Sequence, residues 1–382
     1  MKQNWYLVFS YALGASFLIS LGATAVLRRL AIRWNVMDLP GERKMHPEPV
    51  PLLGGAAIFG TFCAVILGSL LLIEPARRIG FDWLDALVLA FLGTNVKVKL
   101  AGIFAGGLIV FVLGLVDDVK TLRPEAKFAG QVAAALLLVA SGTRLDLFIE
   151  NVWAFSGLRP EGSVPTLCVS GLATILWVVM MTNAMNFLDN MDGLCGGVSL
   201  IAAFSFFLCV LPHEEYFVCV MLLVFAGSVA GFLYHNLHPA RIFMGDAGSM
   251  FCGYILATVA VLGTFYTETT PSRVAVAAPL VALSVPIFDI GSVIYIRWRN
   301  GQSIIKGDKR HFSHRLVAIG MSPRQAVEFI LLVAAVVGLG AALLPKVGRA
   351  GTLIVLAQTA GLFMLIVILM NAGQNRQRGL GK

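Results

Sequence analysis

Eleven apolar runs, each about as long as a bilayer is thick, constrain this chain more than anything else in it. A helix that crosses the ~30 Å hydrocarbon core needs ~20 mostly apolar residues. Runs of that kind lie near 5–27, 54–73, 99–116, 126–141, 167–184, 193–211, 217–234, 249–266, 275–296, 326–344 and 351–371. In lipid every backbone N–H and C=O must find its partner inside the protein, so such runs become helices. The expected fold is all-α: a polytopic transmembrane bundle of about 11 spans forming one domain over residues 1–382. Segment 83–93 is apolar but too short to cross alone, and reads as an interfacial piece or an extension of the third span.

Composition points the same way. Of 382 residues, 58% are hydrophobic and 13% charged, where a soluble domain carries roughly 25% charged residues. A net charge of +8 would suggest nucleic acid as a partner for a soluble protein. Here the basic residues collect in short loops beside apolar runs, so no nucleic-acid partner is expected. None of the six cysteines forms a C-x-x-C pair, and Cys63, Cys209, Cys219 and Cys252 sit inside apolar runs. They read as small buried apolar groups, not as disulfides or zinc ligands.

The first run, WYLVFSYALGASFLISLGATAVL, is longer than a secretion-signal core, and its positive charges, Arg28 and Arg29, follow it. A signal peptide has the opposite layout. The run is expected to stay as a first span with its N-terminus outside. Segments 28–53, 117–127, 235–248, 297–324 and 372–382 then face inward and hold 19 of the 29 lysines and arginines. The positive-inside rule therefore favours an inward C-terminus.

That orientation gathers the polar residues on one side. In GLVDDVKTLRPEAKFAGQ, Asp117 and Asp118 stand where a span meets the cytoplasm. Adjacent carboxylates repel, so the pair is either a solvated helix end or a site needing a cation or proton. Lys127 and Gln131, one turn apart, could face the same site or simply reach the interface. In NAMNFLDNMDGLCGG, residues 183–197, Asn183, Asn186, Asp189 and Asp192 recur every three residues. Helical spacing puts all four on one face, and mixed amide and carboxylate oxygens suit a hard divalent cation such as Mg²⁺. In RIFMGDAGSMFCG, Asp246 could hold a metal beside a helix N-terminus able to bind an anion, or could be an ordinary helix cap. In RWRNGQSIIKGDKRHFSHRL, Lys306, Lys309, Arg310, His311, His314 and Arg315 form a cationic patch, read as a positive-inside loop or a pyrophosphate site. Asp289, in VPIFDIG, is an acid within a span that either serves the site or braces it. Acids suited to Mg²⁺ and cations suited to phosphates on one membrane face are the equipment of phosphoryl transfer.

These motifs are similar, in order and in membrane side, to those of the polyprenyl-phosphate N-acetylhexosamine-1-phosphate transferases, and look closest to the bacterial N-acetylglucosamine-type branch. DLPGERKMHPEPVPLLGG resembles the family's first inner loop, which would bring in Lys44 and His46 as substrate-binding residues. DDV with Lys127 resembles the second, NAMNFLDNMDGL the third, MGDAGS the fourth and DKRHFSHRL the fifth. The resemblance implies an active site built from loops 28–53, 117–127, 183–197, 235–249 and 297–324 on the cytoplasmic side of a bacterial inner membrane. It implies transfer of a HexNAc-1-phosphate from a UDP-sugar, GlcNAc first among them, to undecaprenyl phosphate, with release of UMP. The lipid-linked product would begin a cell-wall or lipopolysaccharide glycan. Mg²⁺, replaceable by Mn²⁺, would be held by Asp246 and Asn186. Asp117 would act as base or organise the lipid phosphate, with Asp118 beside it, and Lys127 would meet a phosphate. Phe243 would stack near uracil, Asp192 would read the nucleoside, and Asn183 and Asp189 would complete the substrate site. His311, His314 and Arg315 would line the pyrophosphate and sugar. Partners would be the UDP-HexNAc donor, the polyprenyl phosphate, the bilayer and, as one assembly open to it, a second copy of the chain.

The chain departs from the family pattern at two positions. Asn190 stands where a glycine is usual, and Ser313 replaces the middle histidine of H-x-H-H. The second change falls in the loop associated with donor choice and leaves the sugar open: UDP-MurNAc-pentapeptide or another UDP-HexNAc are the alternatives. The rival class is an ion-coupled transporter, which would place its ionisable groups near the midplane; here only Asp289 fits that depth.

Overall fold

The structure is a computed structural model that describes residues 5–40, 48–78, 94–146, 149, 164–263, 265, 270–302 and 310–380. Lys44, His46, Lys306, Lys309 and segment 83–93 lie outside the described residues. The helix α1 (Trp5–Arg33) leads through a two-stranded ribbon, β1 (Met37–Asp38) and β2 (Val50–Pro51), into α2 (Gly54–Arg78). There follow α3 (Thr94–Val119), α4 (Pro124–Ala140), α5 (Val164–Leu188), α6 (Leu194–Val210), α7 (Tyr216–Asn236) and α8 (Gly245–Leu262). A short α9 (Ala278–Ala282) precedes α10 (Ser284–Arg299), α11 (Phe312–Ala318), α12 (Pro323–Leu343) and α13 (Arg349–Leu380).

Among the described residues nine helices are long and apolar enough to cross a membrane. The stretch Val274–Ala282 and Ser284–Arg299, bent by 72°, makes a tenth if taken as one broken span. The run expected to cross at 126–141 is α4, a helix of 17 residues. That is about 25 Å of helix, less than the ~30 Å of hydrocarbon. The chain is thus an all-α, multi-pass membrane bundle.

Burial follows sequence character. α7 (YFVCVMLLVFAGSVAGFLYHN) is apolar all round and occupies the interior, with 83% of its span buried, against 17% for α13. A helix without a polar face belongs in a core. Against α7 lies α1, whose buried face is small and polar at Ser16, Ser20 and Thr24. Small residues let backbones approach, and Ser20 Oγ donates to the Ser228 carbonyl at 2.5 Å. The start of α12 follows from Ser-Pro-Arg-Gln. Ser322 accepts from the Gln325 N–H, the Gln325 side chain returns the bond, and Pro323 takes the first helical position, where its missing N–H costs nothing.

The N-terminus of α8 is fixed from outside itself. Phe243 N–H donates to the Pro51 carbonyl (2.9 Å), Gly54 N–H to Phe243 (3.0 Å) and Gly55 N–H to Met244 (2.9 Å). The segment before α8 therefore lies alongside the ribbon's end. A Cβ on Gly55 would strike the Gly248 backbone, and one on Gly248 would strike Gly55. Only glycine on both sides allows this approach.

Candidate active site

Helical spacing predicts one face for Asn183, Asn186, Asp189 and Asp192, but α5 ends at Leu188. Only the two asparagines share the helix. The Asn190 amide turns back to donate to the Phe187 carbonyl (2.7 Å), the competition with the helical ladder that short polar side chains offer. Gly193 then takes φ +74° and starts α6. Its N–H donates to Asn236 Oδ1 at 3.0 Å. Asp192 faces away from the asparagines' helix, toward the segment after α7. Its Oδ2 accepts from the Ala240 N–H (3.0 Å) and meets His238 Nδ1 (2.9 Å).

Three other elements meet the end of α5. Lys127 Nζ, from the first turn of α4, bridges Asp117 Oδ2 on α3 (2.8 Å) and Asp246 Oδ2 on α8 (2.5 Å). Asn186 lies within hydrogen-bonding reach of Asp246 and donates to Ser249 Oγ at 3.0 Å. Asn183 and Gln131 exchange amide bonds of 2.6 and 3.3 Å. Asp118, next to Asp117, is turned to the backbone: it accepts the N–H groups of Asp246 (2.7 Å) and Ala247 (3.2 Å). A carboxylate on the first N–H groups of a helix is a favourable charge-assisted cap. Gly245 makes room for it, since a Cβ there would collide with the Asp118 carboxylate, and its φ of +67° suits glycine.

Asp189 lies in the break between helices, after the end of α5. Burial first, then the charges of Asp246, Asp118, Asp38 and Asp192, hold its carboxyl well above the usual carboxylate range. Asp38, in the ribbon, is a neighbour that sequence reasoning did not single out; its one signal was its place at the head of DLPGERK.

No three His, Cys, Asp or Glu side chains converge as a ready metal cage among the described residues. The oxygens that do converge, from Asp117, Asp246 and Asn186, suit Mg²⁺ in another way. Mg²⁺ takes one or two carboxylates and fills its remaining positions with water and substrate phosphates. Asp117 and Asp246 share one ammonium, that of Lys127. The local excess of negative charge favours a further cation.

The fifth segment reaches this cluster from the other side. Asp289, buried on α10, accepts from the Phe312 N–H (2.5 Å) and meets His311 Nδ1 (2.8 Å). The carboxylate thereby favours the tautomer with a proton on Nδ1 and leaves Nε2 for a ligand. The His311 ring lies 5.6 Å from that of Phe187, at the end of α5. Ser313 Oγ donates to Asn190 Oδ1 at 2.6 Å. Arg315 is turned to α10, with Nη2 donating to Ser292 Oγ at 2.5 Å and the guanidinium 5.8 Å from the Phe288 ring centre. Burial, opposed by Asp289, lowers its pKa. His314 is half-buried in the same turn, and Phe243 is half-buried beside the ribbon.

Hydrogen bonds link Asp117, Asp118, Lys127, Asn186 and Asp246 into one cluster; Asn183 and the Phe187 ring that meets His311 share α5 with Asn186, while Asp192 and Arg315 are engaged with other partners. Acids, amides and cations at the rim of a membrane bundle are what a membrane-embedded enzyme of the phosphotransferase type requires. Residues 100–264 match the Glycosyl transferase family 4 profile. A probable undecaprenyl-phosphate N-acetylglucosaminyl 1-phosphate transferase of Bacillus subtilis is 33% identical over 336 residues, covering 86% of this chain and 83% of the relative. A decaprenyl-phosphate N-acetylglucosaminephosphotransferase of Mycolicibacterium smegmatis is 36% identical over 348 residues, covering 85% and 79%. An undecaprenyl-phosphate alpha-N-acetylglucosaminyl 1-phosphate transferase of Yersinia pestis is 25% identical over 334 residues, covering 85% and 80%. The chain belongs to the polyprenyl-phosphate N-acetylhexosamine-1-phosphate transferase family.

Proposed function

We propose that this protein transfers GlcNAc-1-phosphate from UDP-GlcNAc to a polyprenyl phosphate, undecaprenyl phosphate in the first instance, and releases UMP. The observation that carries the reading is Lys127, held between Asp117 and Asp246 from two other helices. A lysine beside acids that could hold a divalent cation is what a site needs to bring two phosphorylated molecules together against their mutual repulsion.

An oxygen of the lipid phosphate attacks the sugar-linked phosphorus of the donor. A new P–O bond forms there, and the bond from that phosphorus to the bridging oxygen breaks, so UMP departs with the bridging oxygen. A phosphate monoester is largely ionised near neutral pH, so Asp117 serves chiefly to orient Lys127 and the lipid phosphate. Asp246 and Asn186 would hold Mg²⁺, or Mn²⁺ in its place, which supplies charge neutralisation on the donor pyrophosphate. Asp118 fixes the N-terminus of α8 and with it Asp246. His311, held by Asp289, offers Nε2 to the pyrophosphate or sugar, with His314 beside it. Asn183 and Asp189 complete the wall on the α5 side, Asp192 and Phe243 serve the nucleoside, and Lys44 and His46 the phosphates.

The same reading sets the chain in the membrane with its N-terminus outside and its C-terminus and active site in the cytoplasm. It counts α4 as a short eleventh span and treats residues 1–382 as one transferase domain. Homodimers are compatible with it.

The test is direct. Purified protein is given polyprenyl phosphate, Mg²⁺ and a panel of UDP-sugars, with UMP as readout. UMP from UDP-GlcNAc above all other donors is the expected result. Preference for UDP-MurNAc-pentapeptide or another UDP-HexNAc would move the substrate, and no UMP from any donor would overturn the reaction.

A further inference from the structure

The two positions at which the chain departs from its family's pattern, Asn190 and Ser313, are 123 residues apart in sequence and bonded to each other. Ser313 is 1% exposed. Its hydroxyl is shut off from bulk solvent, so losing its acceptor would strand a buried donor. Asn190 is engaged at both ends: Oδ1 accepts from Ser313 and Nδ2 donates to the Phe187 carbonyl. Its φ is not among the positive ones, so a side chain sits at this turn without backbone strain.

The amide is therefore a strut across a seam. On one side is the end of α5, which carries Asn183 and Asn186; on the other is the start of α11, which carries His311, His314 and Arg315. The Phe187–His311 ring contact lies on the same seam. Ser313 spends its hydroxyl on Asn190, so it acts on a substrate only through the position it imposes. We propose that Asn190 and Ser313 are a coupled pair of positioning residues that set the spacing between the metal-binding and donor-binding sides of the pocket, and with it the fit of the UDP-sugar. The inference rests on the donor reading above and adds two residues to it.

Asn190→Ala, Ser313→Ala and the double variant are compared with the unaltered chain in two measurements. The first is hydrogen exchange over residues 310–318 in the absence of substrate. Each alanine is expected to speed it by about tenfold, the worth of one buried hydrogen bond. The second is UMP release: each single variant should raise the donor KM about 5- to 10-fold, leaving kcat and the lipid KM within about twofold. The double variant should be no worse than the poorer single, since both remove the same bond. Ser313→Thr, which keeps the hydroxyl, should restore the donor KM. If an alanine variant does not purify, Ser313→Cys, a weaker donor of similar size, takes its place. Losses that multiply in the double variant, lipid KM moving with donor KM, or unchanged exchange would each overturn the pair. An unaltered chain that turns over no donor would instead condemn the reaction assigned above.

Discussion

The two sides of the pocket are held in different ways. On the acid side, the start of α8 is tied by backbone bonds to the ribbon, capped by Asp118 and closed by glycines that leave no slack. On the cationic side, the start of α11 is held by side chains, Asp289 on α10 and Asn190 across from it. Backbone contacts survive most substitutions, whereas side-chain tethers change with one residue. The acid side suits chemistry that must stay constant, and the cationic side suits a preference that can drift. Asn190 and Ser313, read from sequence as departures from the family's motifs, meet across the seam between the two sides.

The hardest test of this contrast is Asp246→Ala, expected to lower UMP release by at least ~10³-fold even at high Mg²⁺, since it removes a ligand and a partner of Lys127 together. Near-normal turnover would take Asp246 out of the metal site. Next comes Asp118→Ala. Loss of its two bonds to the start of α8 should cost about 2–3 kcal/mol and appear as a lower Tm in detergent with a fall in kcat. An unchanged Tm would mean that the cap is dispensable and the acid side less rigid than described.

Changes on the cationic side should be milder and confined to one substrate. His311→Ala is expected to raise donor KM more than tenfold with little change for the lipid. Asp289→Asn should shift the same parameter in the same direction by about fivefold, by loosening the imidazole's tautomer and orientation. Equal effects on both substrates would erase the division between the two sides. The smallest effect expected is in pH dependence. Asp189 is held above the usual carboxylate range, so it sheds its proton only as pH rises, and the pocket then gains negative charge. The Mg²⁺ concentration for half-maximal rate should accordingly fall with rising pH, and Asp189→Asn should flatten that slope. An identical slope in the variant would assign the titration elsewhere.

The helices were legible because lipid leaves an apolar run no other way to satisfy its backbone. The family was legible because five short motifs keep their order. The end of α5 was not, since asparagine and aspartate every three residues read as one more turn of helix until Asn190 bonds back to Phe187. Nor was the task of Asp118: its partners, the N–H groups of Asp246 and Ala247, lie 128 and 129 residues away. Arg315 reads as a phosphate ligand by its company in sequence, yet its guanidinium rests on Ser292 and Phe288. Asp289 could be read either way from sequence, and its bonds to His311 and Phe312 make it a brace. Local pattern carries the elements; what a polar side chain does is decided by residues far along the chain.

The lysine seated between Asp117 and Asp246 has a bearing on how the protein comes to exist at all. A tethered counter-ion cannot be washed away, so Asp117 and Asp246 keep a partner of opposite charge whatever ions are in solution. The newly inserted chain can close its helices around this built-in charge first and admit the mobile ion and its two clients afterwards.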